Sequence, residues 1–150
     1  MKIIRAGDKV EFELGRREKH LLLELLKLYP CIPSAHHLQR SNRMPDASQT
    51  LLAETLAEQR ALNKRQVEAF LADSGRFRQK EADWRLSLSS TELEWLLQIL
   101  NDIRVGSWIR LGSPEAKLEM NVLNETTAPH FWAMEMAGHF QMELLHSLNA

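Results

Sequence analysis

Residues 89–112, SSTELEWLLQILNDIRVGSWIRLG, carry the strongest helix signal of the chain. Ser89 and Glu92 have the spacing of a capping box, in which two side chains satisfy backbone N–H groups at the start of a helix. Gly112 is suited to end the helix, because a glycine just beyond the last turn readily adopts the left-handed conformation. The sequence therefore predicts one long helix from Ser89 to Gly112.

The apolar residues of this helix share one broad face. At about 100° per residue, that face holds Leu93, Leu96, Leu97, Ile99, Leu100, Ile103, Trp108 and Leu111. Arg104 projects among these residues and Arg110 lies at their edge, so each guanidinium must reach solvent, meet a carboxylate or anchor a ligand. Asn101 and Asp102 lie on the opposite, polar face. These four residues form the candidate polar cluster, with a ligand-binding or a purely structural role.

Most of the remaining chain also has a helical pattern. Residues 1–14 alternate as two short strands around Ala6-Gly7-Asp8, which predicts a hairpin. Helical periodicity marks three further segments, at residues 15–29, 47–73 and 127–148.

Three connecting segments are less regular. Residues 30–45 contain three prolines and predict a long loop. Residues 84–88 alternate with period two and could add a strand to the hairpin. A helix start at Ser113 opens a short helix, with a strand as the alternative.

We therefore expect a single, mainly α domain over residues 1–150. Residues 15–150 would form an antiparallel helical bundle with three long helices and a short one, and the small β-hairpin of residues 1–14 would be an appendage. A chain of this length can bury a substantial core.

Composition narrows the function classes. Lysine and arginine number 19 and aspartate and glutamate 20, so the net charge is −1, and no basic block predicts nucleic-acid binding. Cys31 is the only cysteine, which excludes an intrachain disulfide and predicts a buried thiol rather than a nucleophile. The polar N-terminus and the lack of a long apolar run predict a cytoplasmic protein without membrane contact. Residues 76–80 are basic, but nearby acids balance them, which favours a solvated connection.

The predicted last helix carries a strip of possible metal ligands, Glu135, His139, Glu143 and His146. Glu143 and His146 form a Glu-x-x-His pair, which di-iron bundles use on two of their helices. A second such pair is missing, so we expect no metal and no cofactor. The alternative roles of the strip are exposure to water or a carboxylate for Arg104 or Arg110.

The segments Leu100-Asn101-Asp102-Ile103-Arg104 and Arg110-Leu111-Gly112 resemble the central signature of an uncharacterised bacterial family. This domain-of-unknown-function family contains small helical proteins, is best known from actinobacteria and is often encoded near the Clp protease adaptor. The resemblance implies a bacterial protein with some association to regulation. The family has no assigned catalytic residues, so it implies no reaction.

The sequence contains no motif that identifies a reaction. We expect a non-enzymatic, cytoplasmic bacterial accessory or regulatory protein that acts through protein–protein contacts with an unidentified partner or as a homodimer. The alternative is a small-molecule or metal-binding bundle, with its site at Arg104 and Arg110 or on the Glu135–His146 strip.

Overall fold

The structure is a computed structural model that describes residues 1–33, 46–113 and 124–148. Its elements in chain order are β1 (Lys2–Ala6), β2 (Lys9–Leu14), α1 (Arg16–Leu26), α2 (Asp46–Ala72), β3 (Phe77–Lys80), β4 (Asp83–Ser89), α3 (Ser90–Arg110) and α4 (Ala128–Leu148). The short element predicted after Ser113 and most of the predicted loop over residues 30–45 lie outside the described residues.

The prediction of a mainly α bundle with a small hairpin is wrong. All four strands form one antiparallel sheet in the order β1-β2-β4-β3, so the N-terminal hairpin is half of a sheet that carries part of the core. The strand β3 was missed because Phe77 is its only buried residue. The other three residues of β3 are polar and therefore resemble a solvated connection.

The register of the sheet separates an apolar face from a polar face. One row across the four strands is Ile3, Phe12, Leu86 and Phe77, and the next row is Lys2, Glu13, Arg85 and Arg78. Neighbouring rows point to opposite faces because side chains alternate along a strand. The apolar face packs on α1, whose residues Leu22, Leu25 and Leu26 are buried in the same core cluster.

The helix α3 confirms the prediction made for residues 89–112. Ser89 Oγ accepts from the Glu92 N–H and the Glu92 carboxylate accepts from the Ser89 N–H, both at 3.1 Å. Gly112 has φ = +90°, and its N–H donates to the carbonyl of Ile109 at 3.0 Å. The buried residues of the predicted apolar face include Leu93, Leu96, Ile99, Leu100 and Ile103. The main partner of this helix is α4, which packs along it.

The helix α2 is long but contributes to the core only near its C-terminal end. Its buried residues are Asn63, Val67 and Phe70, and no side chain from Asp46 to Leu62 is fully buried. Within the described ranges, no helix combines the length and apolarity needed to cross a membrane.

Candidate functional site

The four residues of the candidate polar cluster do not converge. Asp102 is half-buried and turns towards the segment that follows α1. Asn101 and Arg104 are exposed on the side of α3 that faces α4. Arg110 is exposed in the last turn of α3. The cluster is therefore a set of separate contacts around one helix.

Arg104 reaches solvent at the edge of the α3–α4 contact. Its Nε–H donates to Gln141 Oε1 at 2.9 Å, and its Nη2–H donates to Asn101 Oδ1 at 3.1 Å. Among the described residues, no ion pair joins Glu135 or Glu143 to Arg104 or Arg110. Arg104 therefore bonds to two side-chain amides, those of Gln141 and Asn101, instead of to a predicted carboxylate partner.

Asp102 holds the chain segment that crosses α3 after α1. Its Oδ1 accepts from the N–H groups of Cys31 at 2.6 Å and Ile32 at 3.4 Å. These N–H groups belong to irregular backbone, where no helix or strand supplies an acceptor. A carboxylate that accepts two such bonds anchors the segment to the helix, since hydrogen bonds to a charged acceptor are the stronger ones.

Gly106 lets the same segment approach α3 closely. A Cβ atom at Gly106 would lie 2.3 Å from the Cys31 carbonyl carbon, 2.4 Å from Cys31 Cβ and 2.5 Å from the Ile32 nitrogen. Only glycine fits there without a shift of backbone. The sequence pattern did not predict this contact, although a glycine inside a helix costs about 1 kcal/mol relative to alanine and often has a packing reason.

The helix α2 completes this junction from the other side. The Arg60 guanidinium donates to the carbonyl of Ile32, and Gln59 Nε2 donates to Asn63 Oδ1 at 3.1 Å. Burial raises the pKa of Tyr29; a hydrogen bond with Asn63 opposes this rise and the Asp102 carboxylate adds to it. The junction of Asp102, Gly106 and the Cys31–Ile32 backbone therefore joins three helices, and its polar groups bind one another.

Cys31 is buried within this junction, and its surroundings disfavour the thiolate form. Burial raises the pKa of its thiol to about 11 from 9.0, and the Asp102 charge adds to the rise against the opposing effect of Arg110. The thiol also donates to the carbonyl of Leu28 at 3.2 Å. This environment agrees with the prediction of a buried thiol rather than a nucleophile.

We therefore expect slow alkylation of Cys31 in the folded protein. At about pH 8, the rise of the thiol pKa from 9.0 to about 11 lowers the thiolate fraction about 100-fold. Burial slows the reaction further. Iodoacetamide labelling followed by mass spectrometry measures the rate, and the same chain in guanidinium chloride is the control. Equal rates in the folded and unfolded chain would contradict the prediction.

The Glu/His strip of α4 lies at the surface. Glu135, His139 and His146 are exposed and Glu143 is half-buried. Within the described residues, no three His, Cys, Asp or Glu side chains form a group that could hold a metal ion. The exposed side chains of Trp132, Met142 and Leu145 accompany this strip.

A half-open pocket of about 320 Å³ lies between the end of α2 and the start of α3. Phe70 and Trp95 line it with ring centroids 5.9 Å apart. The Arg76 guanidinium donates to the Glu92 carboxylate, and its Nε lies 3.7 Å from Asp73 Oδ2. Burial would raise the pKa of Glu92, but bonds from the Ser89 N–H and Arg76 outweigh it and lower that pKa.

Two residues that line this pocket each carry a buried N–H group with no acceptor among the described residues. The indole Nε1 of Trp95 and the guanidinium Nε of Arg76 are both buried without a hydrogen-bond partner. The balanced charges of residues 76–80 predicted a solvated connection at Arg76. Its pairing with Glu92 depends on β3 being a strand beside the start of α3, which local sequence did not reveal.

A larger, charged groove of about 820 Å³ lies on the polar face of the sheet. It is lined by Lys9, Glu11, Asp73, Gly75, Arg76, Arg78, Gln79, Lys80, Arg85 and Ser87. Five of these residues are cationic and two are acidic, although the whole chain has a net charge of −1. We call this surface the sheet groove.

No protein-family model, no curated protein and no solved structure matches this chain.

Proposed function

We propose that the chain is a non-enzymatic, cytoplasmic bacterial accessory or regulatory protein that acts by binding another protein. The observation that carries this proposal is the sheet groove. The described helix α1 packs on the opposite face, where Lys19 lies 3.4 Å above the Trp84 ring. The groove thus offers a broad, charged surface on a rigid sheet.

Two further features support binding rather than catalysis. The raised pKa of Cys31 disfavours a thiolate nucleophile. The polar groups around Asp102 bond to the backbone of the same chain, so they are occupied with holding the fold. The resemblance of residues 100–104 and 110–112 to a bacterial family with regulatory associations points the same way.

The test is capture of a partner by the tagged chain in a bacterial host, with cross-linking before lysis. We expect one protein to be enriched over a tag-only control and to bind the purified chain directly in calorimetry. A homodimer is the simplest form of such contact, and light scattering would separate it from the 17.3 kDa monomer. A monomer that captures no protein above the control would overturn the proposal.

The second candidate function is small-molecule binding in the pocket beside Trp95. The pocket has an aromatic wall, and two of its lining residues carry buried donors that have no acceptor among the described residues. Two carboxylates and one guanidinium line its rim, which favours a neutral planar ligand with a carbonyl acceptor over an anion. A small shift of the Trp95 ring would let the indole N–H bond to such a ligand.

Indole N–H signals in a ¹⁵N NMR spectrum test this candidate. Trp95→Phe assigns the signal of Trp95 among the four tryptophans. We expect benzamide to shift that signal and benzoate, its charged analogue, to leave it in place. No shift with benzamide at millimolar concentration would reject the site.

A further inference from the structure

We propose that the sheet groove binds an acidic segment of the partner protein, with its carboxylates seated between Arg78 and Arg85. This inference rests on the proposed function and adds the chemistry of the partner. Two observations lead to it: the cross-strand placement of the two arginines, and the nearby cations that form no ion pair within the described residues.

The two arginines face each other directly across the strand pair. Arg78 of β3 and Arg85 of β4 are register partners, and side chains of register partners lie on the same face with Cβ atoms about 4.5–5.5 Å apart. Like charges in this arrangement destabilise a sheet. Glu13 lies opposite Arg85 on β2 and offsets part of this repulsion, whereas no described strand pairs with the outer edge of β3 beside Arg78.

Among the described residues, carboxylates lie close to only one of the two arginines. Arg85 Nη1 lies 3.7 Å from Glu11 Oε2, whereas Arg78 forms no ion pair with any described carboxylate. A guanidinium is a planar fork that matches a carboxylate, so an added carboxylate would meet donors from both arginines.

Two further cations extend the site on both sides. Lys80 lies two residues beyond Arg78 on the same face of β3, and Lys9 of β2 also lines the groove. Both are exposed and have no ion pair within the described part of the chain. Several carboxylates of an extended acidic segment could therefore find cationic partners at once.

The groove suits an acidic protein segment better than a nucleic acid. The described aromatic rings of the sheet, Phe12, Phe77 and Trp84, belong to the apolar face, as their register shows. The polar face of the described sheet thus lacks the stacking platform on which single-stranded nucleic acids are bound.

The proposal predicts a loss of binding without a loss of stability. Arg78→Glu places an opposite charge beside Arg85 and removes the repulsion, so we expect a melting temperature equal to or above that of the native chain. If Arg78 had only a structural role, Arg78→Glu would lower the melting temperature and leave binding unchanged. The test compares Arg78→Glu/Lys80→Glu with the control Lys64→Glu/Arg65→Glu, which reverses two exposed cations on α2.

Fluorescein-labelled decaglutamate is the probe, measured by anisotropy at about 50 mM salt, where screening is modest. We expect binding to the native chain and the α2 control, and at least about tenfold weaker binding to Arg78→Glu/Lys80→Glu. Lys9→Glu, on a different strand, should also weaken binding. Higher salt should reduce the affinity of the native chain.

Three outcomes would overturn the proposal. They are no binding of decaglutamate to the native chain, equal binding to all variants, and tighter binding of an oligothymidylate of the same length. If a captured native partner binds Arg78→Glu/Lys80→Glu undiminished, the groove assignment fails and the proposed function stands. If decaglutamate binding depends on the groove but no partner is captured, the proposed function fails and the chemistry of the groove stands.

Discussion

Gly106→Ala is expected to destabilise the protein by about 3 kcal/mol. The added methyl would lie 2.3–2.5 Å from the backbone of Cys31 and Ile32, so the crossing segment must move away from α3. Overpacking typically costs about 1–3 kcal/mol, and the upper end applies because the obstacle is backbone. Guanidinium chloride unfolding followed by circular dichroism measures the free energy of unfolding.

Gly138→Ala is the matched control for this experiment. Gly138 lies within α4, and a Cβ there would lie 3.6 Å from Arg104 Cδ, which is an ordinary van der Waals contact. We expect this variant to be neutral or stabilised by up to about 1 kcal/mol, because alanine favours a helix over glycine. A similar loss of unfolding free energy in both variants would contradict the prediction, because it would show that the close approach of the crossing segment is not the cause.

Asp102→Ala is expected to cost about 2–3 kcal/mol. The substitution leaves the N–H groups of Cys31 and Ile32 without the acceptor described above, and bonds to a charged acceptor contribute about 1.5–3 kcal/mol. Asp102→Asn keeps one oxygen acceptor and should lose less. Asn101→Ala, at the exposed neighbouring position, should stay within about 0.5 kcal/mol of the native chain.

The same variant has a second readout at the thiol. The Asp102 charge contributes to the raised pKa of Cys31, so its removal should lower that pKa and accelerate alkylation at about pH 8. A stable Asp102→Ala variant with unchanged alkylation would contradict the role of Asp102 as the anchor of the crossing segment.

These contacts bear on the residues that resemble the bacterial family. Asp102 anchors a chain crossing, Asn101 and Arg104 bond at the α3–α4 contact, and Gly112 ends α3. Each of these roles is structural. The resemblance remains a prediction, and these structural roles are sufficient to explain why the fold needs such residues.

The sequence predicted the local parts of the fold well and the long-range parts poorly. The N-terminal hairpin and the ends of α3 follow from turn and capping residues within a few positions. The strand β3 did not follow, because Phe77 alone shows its burial. The prediction of the candidate site was the least accurate. Helical spacing grouped Arg104 with apolar residues, whereas in the structure its side chain is exposed and bonds to Gln141.

The sequence by itself determined the helix that begins after Ser89, its glycine end and its row of buried leucines and isoleucines. Those features depend on capping and periodicity within one element. Only the tertiary structure decided what Asp102 and Gly106 do, because their partners lie at Cys31 and Ile32, about 70 residues earlier in the chain. It alone also placed Arg78 opposite Arg85, because strand pairing decides which side chains share a row.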